Sequence, residues 1–305
     1  MNRRSFLALS AFAPASAVTS AAVKPGPYQQ APAPGLRGRP FPTGIRSLDE
    51  ILGGGLGPGE LTLMASIPGQ RRLACLGLSV INRHIERNRE PAALVTPYCS
   101  REDVTHQLAI GRADVHRFRA DTRKWASDDE RARYLEARQA IETSSMHYES
   151  IQRLRFLADV EQSLRKVHEA HPLAFVFIDE IEELRDIACA ESRGVAAARV
   201  GRQLRNMARC MNVPVLATCL VTKEFGLAAK VSKNPYGCMP SQADLGPLIP
   251  ILDCCDALLL TCEMPEPDWP DGSLRVEIAF HPRVRRFQGA VLTMNWRTGR
   301  ITDGA

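Results

Sequence analysis

The stretch that most constrains the fold runs from Thr43 to Leu78 and reads TGIRSLDEILGGGLGPGELTLMASIPGQRRLACLGL. Its pattern predicts a short amphipathic helix, a glycine-rich turn, a buried strand, a short loop and a second helix. A loop between a buried strand and a helix is a place where an α/β protein can bind phosphate, because N–H groups at the start of the helix attract anions. The stretch therefore predicts a nucleotide-binding α/β core.

The loop itself departs from the phosphate-binding pattern G-x-x-x-x-G-K-[ST]. It reads IPGQRRL over residues 67–73. One glycine remains, two arginines follow it, and a leucine stands where a hydroxyl would bind magnesium. The position of a phosphate loop between a strand and a helix is kept, while the residues that would contact phosphate and magnesium differ from the pattern. The candidate cofactor-binding residues of this loop are Gly69, Gln70, Arg71, Arg72 and Leu73.

Composition sets only broad bounds on the protein. The chain of 305 residues is 45% hydrophobic and 24% charged, which is typical of globular proteins. Its net charge of +5 is compatible with nucleic-acid or nucleotide binding without indicating either. The nine cysteines form no C-x-x-C pair, so we interpret them as buried thiols of a reducing compartment. The body of the chain has no apolar run long enough for a membrane span.

The first 42 residues are predicted to lie outside the folded domain. Residues 1–7, MNRRSFL, precede an uncharged stretch that continues to Val23. A twin arginine followed by Phe-Leu resembles a Tat export signal, and a disordered Ala/Ser-rich leader is the alternative. Residues 24–42 are rich in proline and glycine and predict an extended linker. We expect a leader and linker over 1–42, one domain over 43–305 and a cytoplasmic protein, with export left open.

The rest of the chain alternates predicted strands with predicted helices. Strands are predicted over 61–65, 92–96, 175–179, 215–218 and 257–260, and helices over 73–86, 101–110, 150–171 and 194–211. Residues 112–150 are predicted to form exposed helices and loops. The ranges 275–280 and 290–295 predict a final antiparallel pair. This order predicts an α/β fold whose parallel sheet is flanked by helices and ends in an antiparallel hairpin.

The order of these segments resembles the C-terminal RecA-like ATPase domain of DnaB-type replicative helicases. The resemblance is carried by the opening Thr43–Asp49, the turn Gly54–Leu56, the entry to the loop Pro58–Leu61 and the strand Phe177–Asp179. The helix containing Arg202–Arg205 and the strand after it follow the same order. The opening is shared with RadA- and KaiC-like proteins. The resemblance covers about residues 43–297 and implies a RecA-like fold.

The resemblance also implies a catalytic site, position by position. Arg72 matches the lysine that contacts the β- and γ-phosphates, and Leu73 matches the Ser or Thr that binds magnesium. Tyr98 matches the catalytic glutamate, and a phenol is a poor base near neutral pH. Asp179 matches the acid that holds magnesium through water, and the neighbouring Glu180 is a candidate surrogate base. The candidate catalytic residues are Asp179, Glu180 and Tyr98, and Asp179 is the candidate metal ligand.

Two further features complete the implied site. Arg283 and Arg285 resemble the basic pair that reaches the γ-phosphate of the neighbouring subunit, and Arg286 extends the pair. The alternative for this pair is a solvated basic edge on a hairpin. Leu220 matches the glutamine that senses nucleotide state in DnaB-type domains. The three tryptophans, Trp125, Trp269 and Trp296, are isolated and predicted to be packing residues.

Two functions follow as expectations. The first is a DnaB-family ATP-dependent DNA helicase-like protein of DNA replication, with weak or absent ATP hydrolysis. The alternative is a non-catalytic RecA-fold adaptor or regulator that binds DNA or a helicase. The resemblance implies ATP and Mg²⁺ as cofactors, although the altered loop argues against them. It implies single-stranded DNA as a partner, together with a homo-oligomer (a hexameric ring) or a partner helicase.

Overall fold

A computed structural model gives the fold of the chain. It describes residues 38–68, 72–87, 91–97, 100–151, 155–225, 239–263, 273–284 and 288–304, without the side chains of 72, 73 and 87. Among these residues, nine strands form one sheet in the order β3-β2-β4-β5-β1-β6-β7-β8-β9. The first six strands in this spatial order, β3, β2, β4, β5, β1 and β6, pair in parallel. Strands β7, β8 and β9 continue the sheet in antiparallel pairs.

The strands are apolar because helices cover both faces of the sheet. Every residue of β1, β2 and β4 is buried. The strands are β1 Leu61–Ser66, β2 Ala92–Thr96, β3 His147–Ser150, β4 Phe175–Ile178, β5 Val215–Leu220, β6 Ala257–Glu263, β7 Ser273–Phe280, β8 Gly289–Asn295 and β9 Arg300–Asp303.

The helices divide between the two faces. The described helices are α1 Arg46–Ile51, α2 Arg72–Arg87, α3 Arg101–Ala113, α4 Arg117–Thr122, α5 Asp128–Glu142, α6 Leu157–Ala170, α7 Arg185–Ala188 and α8 Arg193–Met211. Apolar residues of α6 and α8 belong to the core on one face, and those of α1, α2, α3 and α5 belong to the core on the other. Within the described residues, no helix combines the length and apolarity needed to cross a membrane.

The predicted fold class is confirmed, and the five predicted parallel strands are present as β1, β2, β4, β5 and β6. The helix predicted over 150–171 was wrong in its first part. Residues 147–150 form β3, which pairs with β2, and the helix begins only at Leu157. Strand β3 has the sequence HYES and lies at the edge of the sheet, so it lacks the apolar run that marks the inner strands. The antiparallel part is also larger than a hairpin, because β9 adds to β8.

Phe41, two residues before the predicted domain start at Thr43, packs against the core. Phe41 is buried, and its ring stacks on that of Phe175 with centroids 4.9 Å apart and an interplanar angle of 9°. Its N–H also donates to the carbonyl oxygen of Leu56 at 2.6 Å. The proline and glycine content of the preceding segment hid this aromatic anchor.

Helix α2, which follows the candidate phosphate loop, approaches the sheet closely at Gly77. A Cβ atom added to Gly77 would overlap the fully buried ring of Phe177 on β4. We expect Gly77→Ala to lower the free energy of unfolding by about 1–3 kcal/mol, the usual cost of overpacking a core. Urea unfolding of the wild-type chain and the variant would measure this change.

Gly111 on α3 is the matched control, because a Cβ atom added there would lie 3.6 Å from its nearest neighbour, the carbonyl oxygen of Thr298. Gly111→Ala should leave stability unchanged or raise it by up to about 1 kcal/mol through helix propensity. Equal effects of the two substitutions would contradict close packing of α2 on β4.

Candidate functional site

The candidate site lies at the edge of the sheet where the parallel strands end. Strand β5 lies between β1 and β4, so the carboxyl ends of these three strands are neighbours. Strand β1 ends at Ser66 and helix α2 begins at Arg72, so the candidate phosphate loop joins them at this edge. Ligands of open α/β sheets bind at such carboxyl edges.

Several predicted residues of the loop lie outside the described part of the structure. Gly69, Gln70 and Arg71 are among them, and the side chains of Arg72 and Leu73 are not described either. The backbone of Arg72 begins α2, as the phosphate-loop prediction requires. The contacts of these five side chains with phosphate stay a prediction.

Asp179 follows β4 directly and is held by neighbouring strands. Its N–H donates to the carbonyl oxygen of Val95 on β2 at 2.8 Å. The hydroxyl of Thr218 on β5 donates to Asp179 Oδ1 at 2.8 Å, and the hydroxyl of Thr96 lies 3.5 Å from Oδ2. Only 5% of Asp179 is exposed. The carboxyl group is thus fixed between two threonine hydroxyls at the carboxyl edge.

Burial raises the pKa of Asp179 above its usual range, while the hydrogen bonds from Thr218 and Thr96 oppose that shift. A nearby cation would favour the ionised form and lower the pKa again. The oxygen atoms of Asp179, Thr96 and Thr218 are of the kind that Mg²⁺ prefers. Leu73 offers no oxygen, so the residues at this edge fit a magnesium site only in part.

Glu180, the predicted surrogate base, forms the turn that ends β4. Its backbone is left-handed, with φ of 49°, and its N–H donates to the hydroxyl of Thr218 at 2.8 Å. The residue is half-buried. These contacts hold the backbone of Glu180 in place. Its role as a base stays a prediction.

The prediction for Tyr98 likewise remains open, because Tyr98 lies outside the described residues. Strand β2 ends at Thr96, two residues before it, and β2 pairs with β4. The last residue of β2 therefore lies beside the strand that Asp179 follows. The action of Tyr98 on water stays a prediction.

Glu182 is a half-buried acid with a buried carboxyl oxygen, close to Asp179, that the sequence analysis missed. It lies on a 3₁₀ turn, Ile181–Glu183, and its Oε1 accepts the N–H of Leu220 at 2.7 Å. Its Oε2 is buried without a hydrogen-bond partner among the described residues. Burial, with smaller contributions from Glu180 and Glu183, raises the pKa of Glu182 to about 8.

A signal for Glu182 was present in the sequence. Three glutamates, Glu180, Glu182 and Glu183, follow within four residues of Asp179. A tight turn after a buried strand cannot direct all three carboxyl groups to solvent. Leu220, the match to the nucleotide-sensing glutamine, ends β5, and its backbone holds Glu182. The turn after Asp179 is thereby tied to the strand beside the phosphate loop.

Arg283 lies at the opposite ends of the parallel strands, near the residue that precedes β1. Its Nη2 donates to the carbonyl oxygen of Gly55 at 2.7 Å and pairs with Glu60 Oε2 at 3.2 Å. Glu60 directly precedes β1, whereas the phosphate loop follows β1, and six strand residues span about 20 Å. Arg283 therefore cannot reach the loop of its own chain. Arg285 and Arg286 lie outside the described residues.

The mostly parallel sheet, flanked by helices and extended by antiparallel strands, is that of a RecA-like α/β protein. The sequence profile of the DnaB-like helicase C-terminal domain matches residues 40–237, more than half of the chain. The chain belongs to this family, and the resemblance noted from its motifs is confirmed.

Individual relatives agree with this assignment. The DNA repair protein RadA of Mycobacterium tuberculosis is 33% identical over 128 residues, which cover 42% of this chain and 24% of RadA. The chain thus spans about a quarter of the length of these curated relatives.

Solved structures share the fold. The ATPase domain of G40P superposes with a TM-score of 0.75 at 17% identity, covering 87% of this chain and 91% of that domain. A DnaB-like replicative helicase, determined with its interactions with primase, gives 0.74 at 17% identity, covering 87% of this chain and 64% of the helicase. At this identity the two superpositions show the fold alone.

The buried carboxyl group of Glu182 makes stability depend on pH. Its pKa is about 8 in the folded chain against an ordinary 4.5, so the folded chain holds a proton that the unfolded chain has lost between these values. We expect the stability of the wild-type chain, relative to Glu182→Gln, to fall by about 1 kcal/mol per pH unit from pH 5 to pH 8 and then level off.

Urea unfolding of both proteins at several pH values from 5 to 9 measures this difference. Glu191→Gln is the control, because Glu191 is an exposed acid further along the chain. Its stability should run parallel to that of the wild-type chain. A constant difference between the wild-type chain and Glu182→Gln over the whole range would contradict the raised pKa.

Proposed function

We propose that this chain is a DnaB-family, helicase-like protein of DNA replication that binds ATP at the carboxyl edge of its sheet and hydrolyses it slowly or not at all. The observation that carries the proposal is Asp179, held by Thr218 and Thr96 at the carboxyl edge of the sheet, with β5 between its strand and the strand that enters the phosphate loop. This acid supports a nucleotide site, whereas the loop sequence argues against rapid turnover.

The cofactors of the proposed site are ATP and Mg²⁺. Arg72 would supply positive charge to the phosphates, without the compact ammonium group of a lysine. Asp179 would hold magnesium through water. Bound magnesium neutralises the charge that develops on the phosphates during transfer. Because Leu73 supplies no ligand and Tyr98 is a poor base, the site lacks two of the groups on which hydrolysis depends.

The partners of the proposed function are single-stranded DNA and further copies of the same chain. The position of Arg283 supports an oligomer, because an arginine at the opposite edge can serve a phosphate only in a neighbouring subunit. The family resemblance points to a hexameric ring for that oligomer. A protein that acts on chromosomal DNA works in the cytoplasm, so the proposal favours the cytoplasm over export through the Tat-like leader.

A second candidate is a non-catalytic adaptor or regulator that binds DNA or a partner helicase. Burial raises the pKa of Asp179 and so disfavours the ionised carboxylate that magnesium requires, which fits this second candidate. The pairing of Arg283 with Glu60 in its own chain also fits a protein whose arginine no longer serves catalysis.

An ATPase assay with and without single-stranded DNA tests whether the chain hydrolyses ATP as fast as an active helicase. Both candidates, the slow helicase-like protein and the adaptor, require that it does not. We expect turnover at least about a hundredfold below that of an intact relative, because the magnesium ligand and the base are missing. A variant that combines Arg71→Gly, Arg72→Lys, Leu73→Thr and Tyr98→Glu restores the missing groups. It should gain at least about tenfold in turnover.

The control adds Asp179→Asn to that restored variant and should abolish the gain. Wild-type turnover close to that of an intact relative would contradict the proposal. A restored variant that stays inactive while it binds ATP would show that the scaffold itself no longer supports catalysis, as the adaptor requires.

A further inference from the structure

An exposed cluster of rings and cations lies where helix α4 meets the turn between β8 and β9. We call it the aromatic–arginine patch, and it consists of His116, Arg117, Phe118, Trp296, Arg297 and Arg300. The N–H of Arg117 donates to the carbonyl oxygen of Arg297 at 2.7 Å, which ties the two segments together. The patch is thus a fixed part of the fold, although its residues are far apart in the sequence.

The two large aromatic side chains of the patch face solvent. Phe118 is 63% exposed and Trp296 is 54% exposed. The prediction that Trp296 is a packing residue was therefore wrong. Trp125, by contrast, packs against the core, with its ring 5.0 Å from that of Tyr134. Phe118 and Trp296 both adjoin His116, whose ring meets that of Trp296 and accepts the N–H of Phe118.

Neighbouring side chains contact the ring of Trp296 and the backbone of Phe118. The guanidinium group of Arg297 lies 5.1 Å from the ring centre of Trp296, a cation–π distance. The ring of His116 meets Trp296 edge-on, with centroids 6.0 Å apart. His116 Nδ1 also accepts the N–H of Phe118 at 3.2 Å, so the residues that carry the two exposed rings flank one histidine.

The patch is basic, because three of its six residues are the arginines Arg117, Arg297 and Arg300 and none is acidic. Glu86 on α2 lines the same cavity as Arg117 and Arg300. Within the described part of the chain, Arg117, Arg297 and Arg300 form no ion pair with a carboxylate. Their charge is therefore available to an anionic partner.

We propose that the aromatic–arginine patch binds single-stranded nucleic acid, with bases stacked on Trp296 and Phe118 and phosphates paired with the arginines. Aromatic platforms within a basic surface bind single strands because every base has a π face and every link carries a charge. An acidic protein segment would satisfy the arginines, but it would leave the two rings exposed. The combination of rings and charge favours a nucleic acid.

The patch borders helix α2, which follows the candidate phosphate loop. The N–H of Ile301 donates to the hydroxyl of Ser79 on α2 at 3.1 Å, and Arg117 and Arg300 line a cavity together with Ser79. Asp179 lies on the other side of β1 from this part of the sheet. The proposal deepens the proposed function, and it rests on that function only for the choice of DNA as the first probe. Its test omits ATP and magnesium, so loss of nucleotide binding would not affect the result.

Fluorescence anisotropy of a labelled oligo(dT) of about 20 nucleotides, added to the full chain at low salt, tests the proposal. The double variant Trp296→Ala, Phe118→Ala should bind at least about tenfold more weakly than the wild-type chain, because each stacked base contributes measurably to affinity. Trp296→Phe alone keeps a ring and should stay within about threefold of the wild-type chain. Unchanged thermal unfolding would show that these exposed substitutions leave the fold intact.

The charged residues are tested in the same assay. Arg297→Ala with Arg300→Ala should reduce the slope of log affinity against log salt by about 1.4, the value for two phosphates of a single strand. Arg46→Ala is the matched control, because Arg46 is an exposed arginine on α1. Its slope should match that of the wild-type chain.

Equal affinity of the wild-type chain and the Trp296→Ala, Phe118→Ala variant would overturn the proposal. A poly-glutamate competitor that displaces oligo(dT) as well as unlabelled oligo(dT) does would also overturn it, in favour of an acidic protein partner. Oligo(U) that binds as tightly as oligo(dT), with the same dependence on Trp296, would support a single-strand site that does not select DNA over RNA.

Discussion

The hydroxyl group of Thr218 is the interaction on which the candidate site depends. It accepts the N–H of Glu180 and donates to the carboxylate of Asp179, both at 2.8 Å. Thr218 is fully buried on β5, the strand between the phosphate-loop strand and the strand of the acid. One hydroxyl group therefore holds the acid at the end of β4 and fixes the left-handed turn that follows it. Without it, a buried carboxyl group would lose its strongest local partner.

The site keeps costly features of a nucleotide-binding protein while its loop has changed. Asp179 and the carboxyl group of Glu182 are buried and have raised pKa values, and one oxygen of Glu182 has no described partner. Buried groups of this kind destabilise a fold, and they are common at functional sites. Their presence after β4, at the edge of the sheet where β1 leads into the altered loop, is the feature on which the proposed nucleotide site rests.

The inner part of the fold could be predicted from sequence because its signals are local. Strands buried on both faces read as continuous apolar runs, and β2 was predicted with the bounds that the structure has. The edge strands β3 and β9 were missed, because four-residue strands of mixed polarity have no such run. Within the candidate site, the position of Asp179 after a buried strand was predictable from the apolar run before it, while its role stays a prediction. The threonines that hold Asp179 and the pairing of Arg283 with Glu60 depend on register and topology, which a single sequence does not display.

We propose that the altered loop and Asp179 still bind ATP with magnesium. Thermal unfolding of the wild-type chain and of Asp179→Asn, with and without ATP and Mg²⁺, tests it most directly. At a hundredfold excess over the dissociation constant, ATP should stabilise the folded chain by about 2.7 kcal/mol and raise Tm by about 5 °C. Magnesium should add to the shift in the wild-type chain but not in Asp179→Asn. No shift in the wild-type chain at any ATP concentration, with a clear shift in the variant Arg71→Gly, Arg72→Lys, Leu73→Thr, would contradict the claim.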